Sequence, residues 1–162
     1  MADDKQIYFE QYKLYIESIE KVSDRRDSAN KYFMTINSSI FILAGLVIQY
    51  IHENKKLFLI GLCVLGLCIS IIFWFLINSY KQLNSGKFAM VHKIEQKLPI
   101  KLYADEWKIL GEGKNKKKYY PFSHIEQLIP SLLGICYILA IIIFDSLFLI
   151  FSTLSQVTAL LF

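Results

Sequence analysis

Three long windows of the chain carry almost no charge: Tyr32–Ile51 (20 residues), Leu57–Tyr80 (24) and Gln127–Phe162 (36, broken by Asp145). Each reaches the roughly 20 residues that a helix needs to cross a hydrocarbon core about 30 Å thick. Ahead of the first window, Tyr8, Tyr12, Tyr15, Ile19, Val22, Arg26, Ala29 and Phe33 recur at alternating spacings of four and three. That is one stripe of a coiled-coil-like helix. No Gly or Pro precedes Gly45, so one helix is expected from the N-terminal segment through the first window.

After the second window, Leu83, Phe88, Val91, Ile94 and Leu98 share a helix face that ends before Pro99. Gly86 weakens that helix by about 1 kcal/mol relative to Ala. The piece ADEWKIL (104–110) reads as a short helix anchored by Trp107, and GEGKNKKKYYPF as a loop. Ser123 is a good N-cap with Glu126 at the capping-box position, which starts a helix at His124. Pro130 would kink its early turns. The last window exceeds one span, so 151–162 either lies flat on the outer face or re-enters as a short second leg.

The expected fold is an all-α membrane protein: three transmembrane helices, a long N-terminal cytoplasmic helix, and a helical cytoplasmic insert between the second and third spans. The boundaries are 1–31 (cytoplasmic amphipathic helix, continuous with the first span), 32–51 (transmembrane helix 1), 57–80 (transmembrane helix 2), 81–126 (cytoplasmic helical segment and basic loop) and 127–162 (transmembrane helix 3 and apolar tail).

Composition supports this picture: 54% of residues are hydrophobic and the mean hydropathy is +0.38. Of the 18 Lys and Arg, six lie in 1–31 and ten in 81–124, leaving two in the turn HENKK (52–56). The positive-inside rule then places the N-terminus and the insert in the cytoplasm and the HENKK turn outside. The first apolar run begins too far into the chain for a signal peptide. Cys63, Cys68 and Cys136 lie in apolar runs without CxxC spacing and read as small packing residues.

Nothing in the chain makes an active site. His52, His92 and His124 are scattered, and HExxH, GxSxG and a phosphate-binding Gly-rich loop are missing. His92 and Glu95 share a helix face, but two ligands do not make a metal site. The chain is expected to be no enzyme and to carry no cofactor or metal.

Four places carry candidate chemistry. In SDRRD (23–27), Arg26 falls on the apolar stripe, where an unpaired charge costs several kcal/mol. Its partner is then on another helix or subunit, unless Arg25 and Arg26 form a solvated juxtamembrane anchor. Asp145 stands in an apolar helix, where an ionisable group costs about 2.5–3.5 kcal/mol. It either lines a pore, as one member of a carboxylate ring, or marks the outer interface. Asn37 and Asn78 are polar groups inside the first two windows and join Asp145 as pore or gate candidates. Their plainer role is hydrogen bonding between helices. Finally, Lys114, Lys116, Lys117 and Lys118 precede Tyr119 and Tyr120, a mixture that suits phosphates with stacked bases or anionic lipid headgroups.

The ordered segments YKLYIESIEKVSDRRDSANKYFMTINSSI, WFLINSYKQLNSGKFAMVHKIEQKLP, DEW and GKNKKKYYPFSHIEQLIP carry a resemblance that runs from Tyr12 to Pro130. They resemble small integral membrane proteins of bacterial defence loci, and within that group the chain is similar to the membrane effectors of the Hailong anti-phage system. The resemblance implies an ion channel of the inner membrane, assembled as a homotetramer. It also implies control by single-stranded DNA oligomers or a nucleotide messenger made by a partner nucleotidyltransferase. Opening would depolarise the infected cell. On that view Arg25, Arg26 and the 114–120 loop face oligonucleotide phosphates. The alternative is a non-conducting membrane anchor or sensor that recruits a soluble partner.

Overall fold

The computed structural model of the protein describes residues 2–114, 119 and 122–161. All regular structure among the described residues is helical: α1 (Ala2–Tyr50), α2 (Lys55–Glu95), α3 (Leu102–Ile109) and α4 (Phe122–Leu161). Three helical stretches, Lys5–Tyr50, Lys55–Glu95 and His124–Ser146, are long and apolar enough to cross a membrane.

α1 is unbroken, as its lack of early Gly and Pro requires. α4 starts at Phe122, two residues before the expected His124, and continues past Pro130 to Leu161. Residues 151–161 continue this helix, without the break that either a re-entrant leg or a segment lying flat requires, and no Gly or Pro follows Gly134 to supply one. α2 passes straight through Gly86 but ends at Glu95, short of Leu98. The chain closes there with two tighter turns, Lys97 N–H to Ile94 O and Leu98 N–H to Glu95 O. The α1–α2 turn places Asn54 at φ 52°, a left-handed conformation that asparagine tolerates.

The chain forms two compact units, Met1–Lys31 with Phe75–Leu128 (unit 1) and Tyr32–Trp74 with Ile129–Phe162 (unit 2).

In unit 1 the stripe of α1 is the covered face. Ile19 and Val22 are buried, and Tyr8, Tyr12, Tyr15, Arg26 and Ala29 are partly covered. α2 and the turn that follows it meet the tyrosines with polar groups. Lys97 Nζ sits 4.8 Å above the Tyr8 ring, Lys87 Nζ lies 4.9 Å from the Tyr15 ring and donates to Ser18, and Glu95 takes the Tyr12 hydroxyl. Leu83, expected on the packing face, is instead 47% exposed, while Asn84, Lys87, Val91 and Glu95 are covered. The face is set by polar partners on α1, which apolar periodicity alone does not register.

Unit 2 packs around Ile40, Cys63 and Tyr137. Phe33 stacks on Phe73 at 4.7 Å, and Phe41 on Tyr137 at 5.4 Å. Gly66 lets α4 approach α2, since a Cβ there would fall inside the Tyr137 ring. Cys63 is a core packing residue, whereas Cys68 and Cys136 are exposed.

Candidate functional site

Two buried carboxylates organise unit 1. Glu95, fully buried, accepts hydrogen bonds from the Tyr12 hydroxyl (3.0 Å), Tyr103 N–H (2.8 Å) and Ala104 N–H (3.0 Å). α3 has Lys101 at its N-cap and no side-chain cap bond. Tyr103 and Ala104 are its second and third residues, whose N–H groups an N-cap side chain would ordinarily satisfy. Glu95 supplies that cap from α2 and fixes where α3 begins. Burial, and then the bond to Glu95, raise the Tyr12 phenol well above the usual tyrosine range and keep it a donor.

Glu126 is the contrasting case. Its Oε1 accepts from Asn30 Nδ2 at 2.8 Å and lies 3.5 Å from Arg26 Nε. Its Oε2 and Asn30 Oδ1 are buried and have no partner among the described residues. The capping-box role expected of Glu126 gives way to this contact with α1.

α3 ends in a Schellman motif: Glu112 N–H bonds Trp107 O and Gly111 N–H bonds Lys108 O, with Gly111 at φ 78°. Gly113 follows at φ 71°, and a Cβ there would lie 3.3 Å from the Trp107 ring. Tyr119 meets Trp107 edge-on at 6.2 Å. The indole thus has backbone and a second ring as neighbours.

These elements line a half-open cavity of about 710 Å³. α2 lines it with Lys81, Asn84, Phe88 and His92, and α1 contributes Ser23 and Arg26. α3 adds Tyr103 and Trp107, and Tyr119, Phe122 and His124 complete it from the start of α4. Glu106 is the one carboxylate among the described lining residues. Such a lining offers flat apolar faces and positive charge in one half-open cleft.

The structure brings together Arg26 and Tyr119 of the sequence candidates. Arg25 is exposed. Lys114 pairs with Glu112 at 2.7 Å, which raises the lysine's pKa and lowers the glutamate's. Lys116, Lys117, Lys118 and Tyr120 lie outside the described residues. Arg26 finds its partner on another helix, as its place in the stripe demands, while Asp27 pairs locally with Lys31.

Asn37, in unit 2, is buried: it accepts from the Tyr137 hydroxyl at 2.9 Å and donates to Phe33 O. Asn78 accepts from Gln127 Nε2 at 3.4 Å. Asp145 pairs with Lys56 Nζ at 2.8 Å and keeps 54% of its side chain exposed. Sequence reasoning misses Glu95, Lys81, Asn84, Phe88 and Trp107 as site residues; the signal open to it is the one-face spacing of Lys81, Asn84, Phe88 and His92 along α2.

The family model described as "Octameric membrane protein family (8xMP)" matches residues 9–148. The chain belongs to the octameric membrane protein family. It is accordingly an oligomeric, multi-pass membrane protein, with bilayer lipid and other subunits of its kind as neighbours. No curated protein matches the chain, and no solved structure matches it. Membership also accounts for the large apolar side chains exposed on a single subunit of unit 2, including Ile42, Leu57, Ile72 and Leu132, since lipid or a neighbouring subunit covers such a face.

Proposed function

We propose that the protein is an oligomeric ligand-gated ion channel of bacterial anti-phage defence. It sits in the inner membrane with its N-terminus in the cytoplasm, and its opening depolarises the host. The controlling ligand is a nucleotide or single-stranded DNA oligomer made by a partner nucleotidyltransferase. The observation that carries this reading is the cationic, aromatic cavity of unit 1, lined by α3 together with the three helices that supply the apolar spans. Sixteen of the 18 basic residues lie outside the HENKK turn, which supports the orientation. Membership of an oligomeric membrane family and the resemblance to defence effectors support the rest.

We take eight copies, the number in the family's description, as the assembly, although the resemblance to Hailong effectors implies four. Native mass measurement separates the two. In either assembly each subunit contributes one Asp145, giving a carboxylate ring tempered by Lys56. A ligand that holds the channel closed must prefer that state, and about 2.7 kcal/mol of preference moves the gate a hundredfold.

The test is ion current through the purified protein in a planar bilayer, with and without short single-stranded DNA. Current that DNA suppresses is the expected result, and Asp145→Asn should then reduce cation preference. Current indifferent to DNA removes the ligand. Silence with and without DNA, in a protein shown to be assembled and reconstituted, favours the second reading, a non-conducting anchor or sensor that recruits a soluble partner.

A further inference from the structure

We propose that the unit 1 cavity binds one phosphate-bearing aromatic ring per subunit, a single nucleotide unit, with Lys81 and Arg26 on the phosphate and Phe88 and Trp107 against the ring. The inference rests on the channel reading for its consequence at the gate, but the binding event is separate from it. A volume of about 710 Å³ is within the range of small-molecule sites, which are mainly apolar with a few placed polar groups.

The lining is ordered along α2. Lys81, Asn84, Phe88 and His92 fall at spacings of three, four and four, so they form one face about 16 Å long. The lysine is at one end and the aromatic ring nearer the other. Arg26 reaches the cavity from α1, and the first turn of α4 contributes His124 and Phe122. The opening turn of a helix favours an anion through its free N–H groups. Neither half of the lining explains the other. Arg26 already has Glu126 beside it, but an apolar occupant would leave the half-buried Lys81 without a counter-charge among the described residues. Bare phosphate would leave the faces of Phe88, Tyr103 and Trp107 unused.

Two details point the same way. Trp107 has Gly113 close to its ring edge and Tyr119 edge-on to it, contacts that restrict its rotamers before any ligand arrives and so lower the ordering cost at binding. Asn84 Oδ1 is buried with no partner among the described residues. A sugar hydroxyl or an exocyclic ring amine supplies the donor it lacks, and a bare anion does not.

The experiment uses the assembled full-length Trp74→Phe protein in detergent. The chain has two tryptophans, so Trp107 becomes the single emitter. Adenosine monophosphate, adenosine, inorganic phosphate and a short single-stranded oligodeoxyadenylate are titrated separately. Saturable quenching by the monophosphate is expected, weakened about tenfold by Lys81→Gln, the loss of one charge-assisted hydrogen bond. The same substitution should leave adenosine unchanged, and Phe88→Leu should weaken both.

Quenching by the oligomer alone, still dependent on Lys81, supports the same site with a strand end as its source. No quenching by either nucleotide, quenching indifferent to both substitutions, or equal quenching by phosphate alone overturns the proposal. Lys81-dependent binding to a protein that passes no current keeps the site and discards the channel. Current suppressed by DNA without any Trp107 response does the reverse.

Discussion

In unit 1 the helices meet through carboxylates: Glu95 gathers a phenol and two backbone N–H groups, and Glu126 takes Asn30 and Arg26. In unit 2 the corresponding buried bond is neutral, from the Tyr137 hydroxyl to Asn37, and the closest approach is Gly66 against a ring. The same three long helices take part in both sets of contacts, with α3 joining them in unit 1. The difference is the one expected if unit 1 packs in water and unit 2 in lipid. A buried carboxylate with several donors is tolerable where assembly starts from water, whereas a charge at bilayer depth costs about 2.5–3.5 kcal/mol before any partner is found. Unit 2 accordingly has four charged residues, Glu53, Lys55, Lys56 and Asp145, two of which pair with each other.

The sharpest way to break this contrast is Glu95→Ala. Three donors would lose their acceptor, and about 3 kcal/mol or more should go. Limited proteolysis should then cut the 96–101 turn, because α3 has no other side-chain cap. Glu126→Gln should cost clearly less by the same assay, since one of its oxygens is unpartnered already. Equal losses would mean that the two carboxylates are not different in kind.

Gly66→Leu tests the other side of the comparison. Overpacking against Tyr137 should cost about 1–3 kcal/mol in micelle unfolding, and Tyr137→Ala should recover part of it in the double variant. Tyr137→Phe alone should cost about 1 kcal/mol, the scale of an interhelical hydrogen bond in a membrane. The smallest effect belongs to Lys114→Ala. Its pair with Glu112 is at the surface, and its loss should leave thermal unfolding unchanged in moderate salt. Tyr12 adds a pH arm. Its pKa is raised in the folded state, so its contribution is fully present below the ordinary tyrosine pKa of about 10. That contribution disappears as pH rises through the folded value, and Tyr12→Phe should remove this part of the alkaline transition.

Much of the architecture is a property of single helices and could be read directly. The apolar windows, the covered stripe from Tyr8 to Ala29 and the need of Arg26 for a partner on another helix all follow from spacing and burial cost. Lys101 shows the limit: a lysine at an N-cap marks a helix start that local sequence does not explain. The cap comes from Glu95, and Tyr12 joins it from 83 residues away. Leu83 and Asn84 are adjacent, and an apolarity rule chose the wrong one because the opposing face of α1 is polar.

By itself, then, the sequence determined the helices, their lengths, their lipid-compatible windows and the excess of positive charge on one set of segments. Tertiary structure decided that Glu126 is the carboxylate that meets Arg26. It also decided that Asn37 turns to Tyr137, and that Lys81, Phe88, Trp107 and Tyr119 line one cavity. The physical reason is that periodicity records which face of a helix is covered. The height and rotation at which another helix covers it depend on all the side chains between them at once.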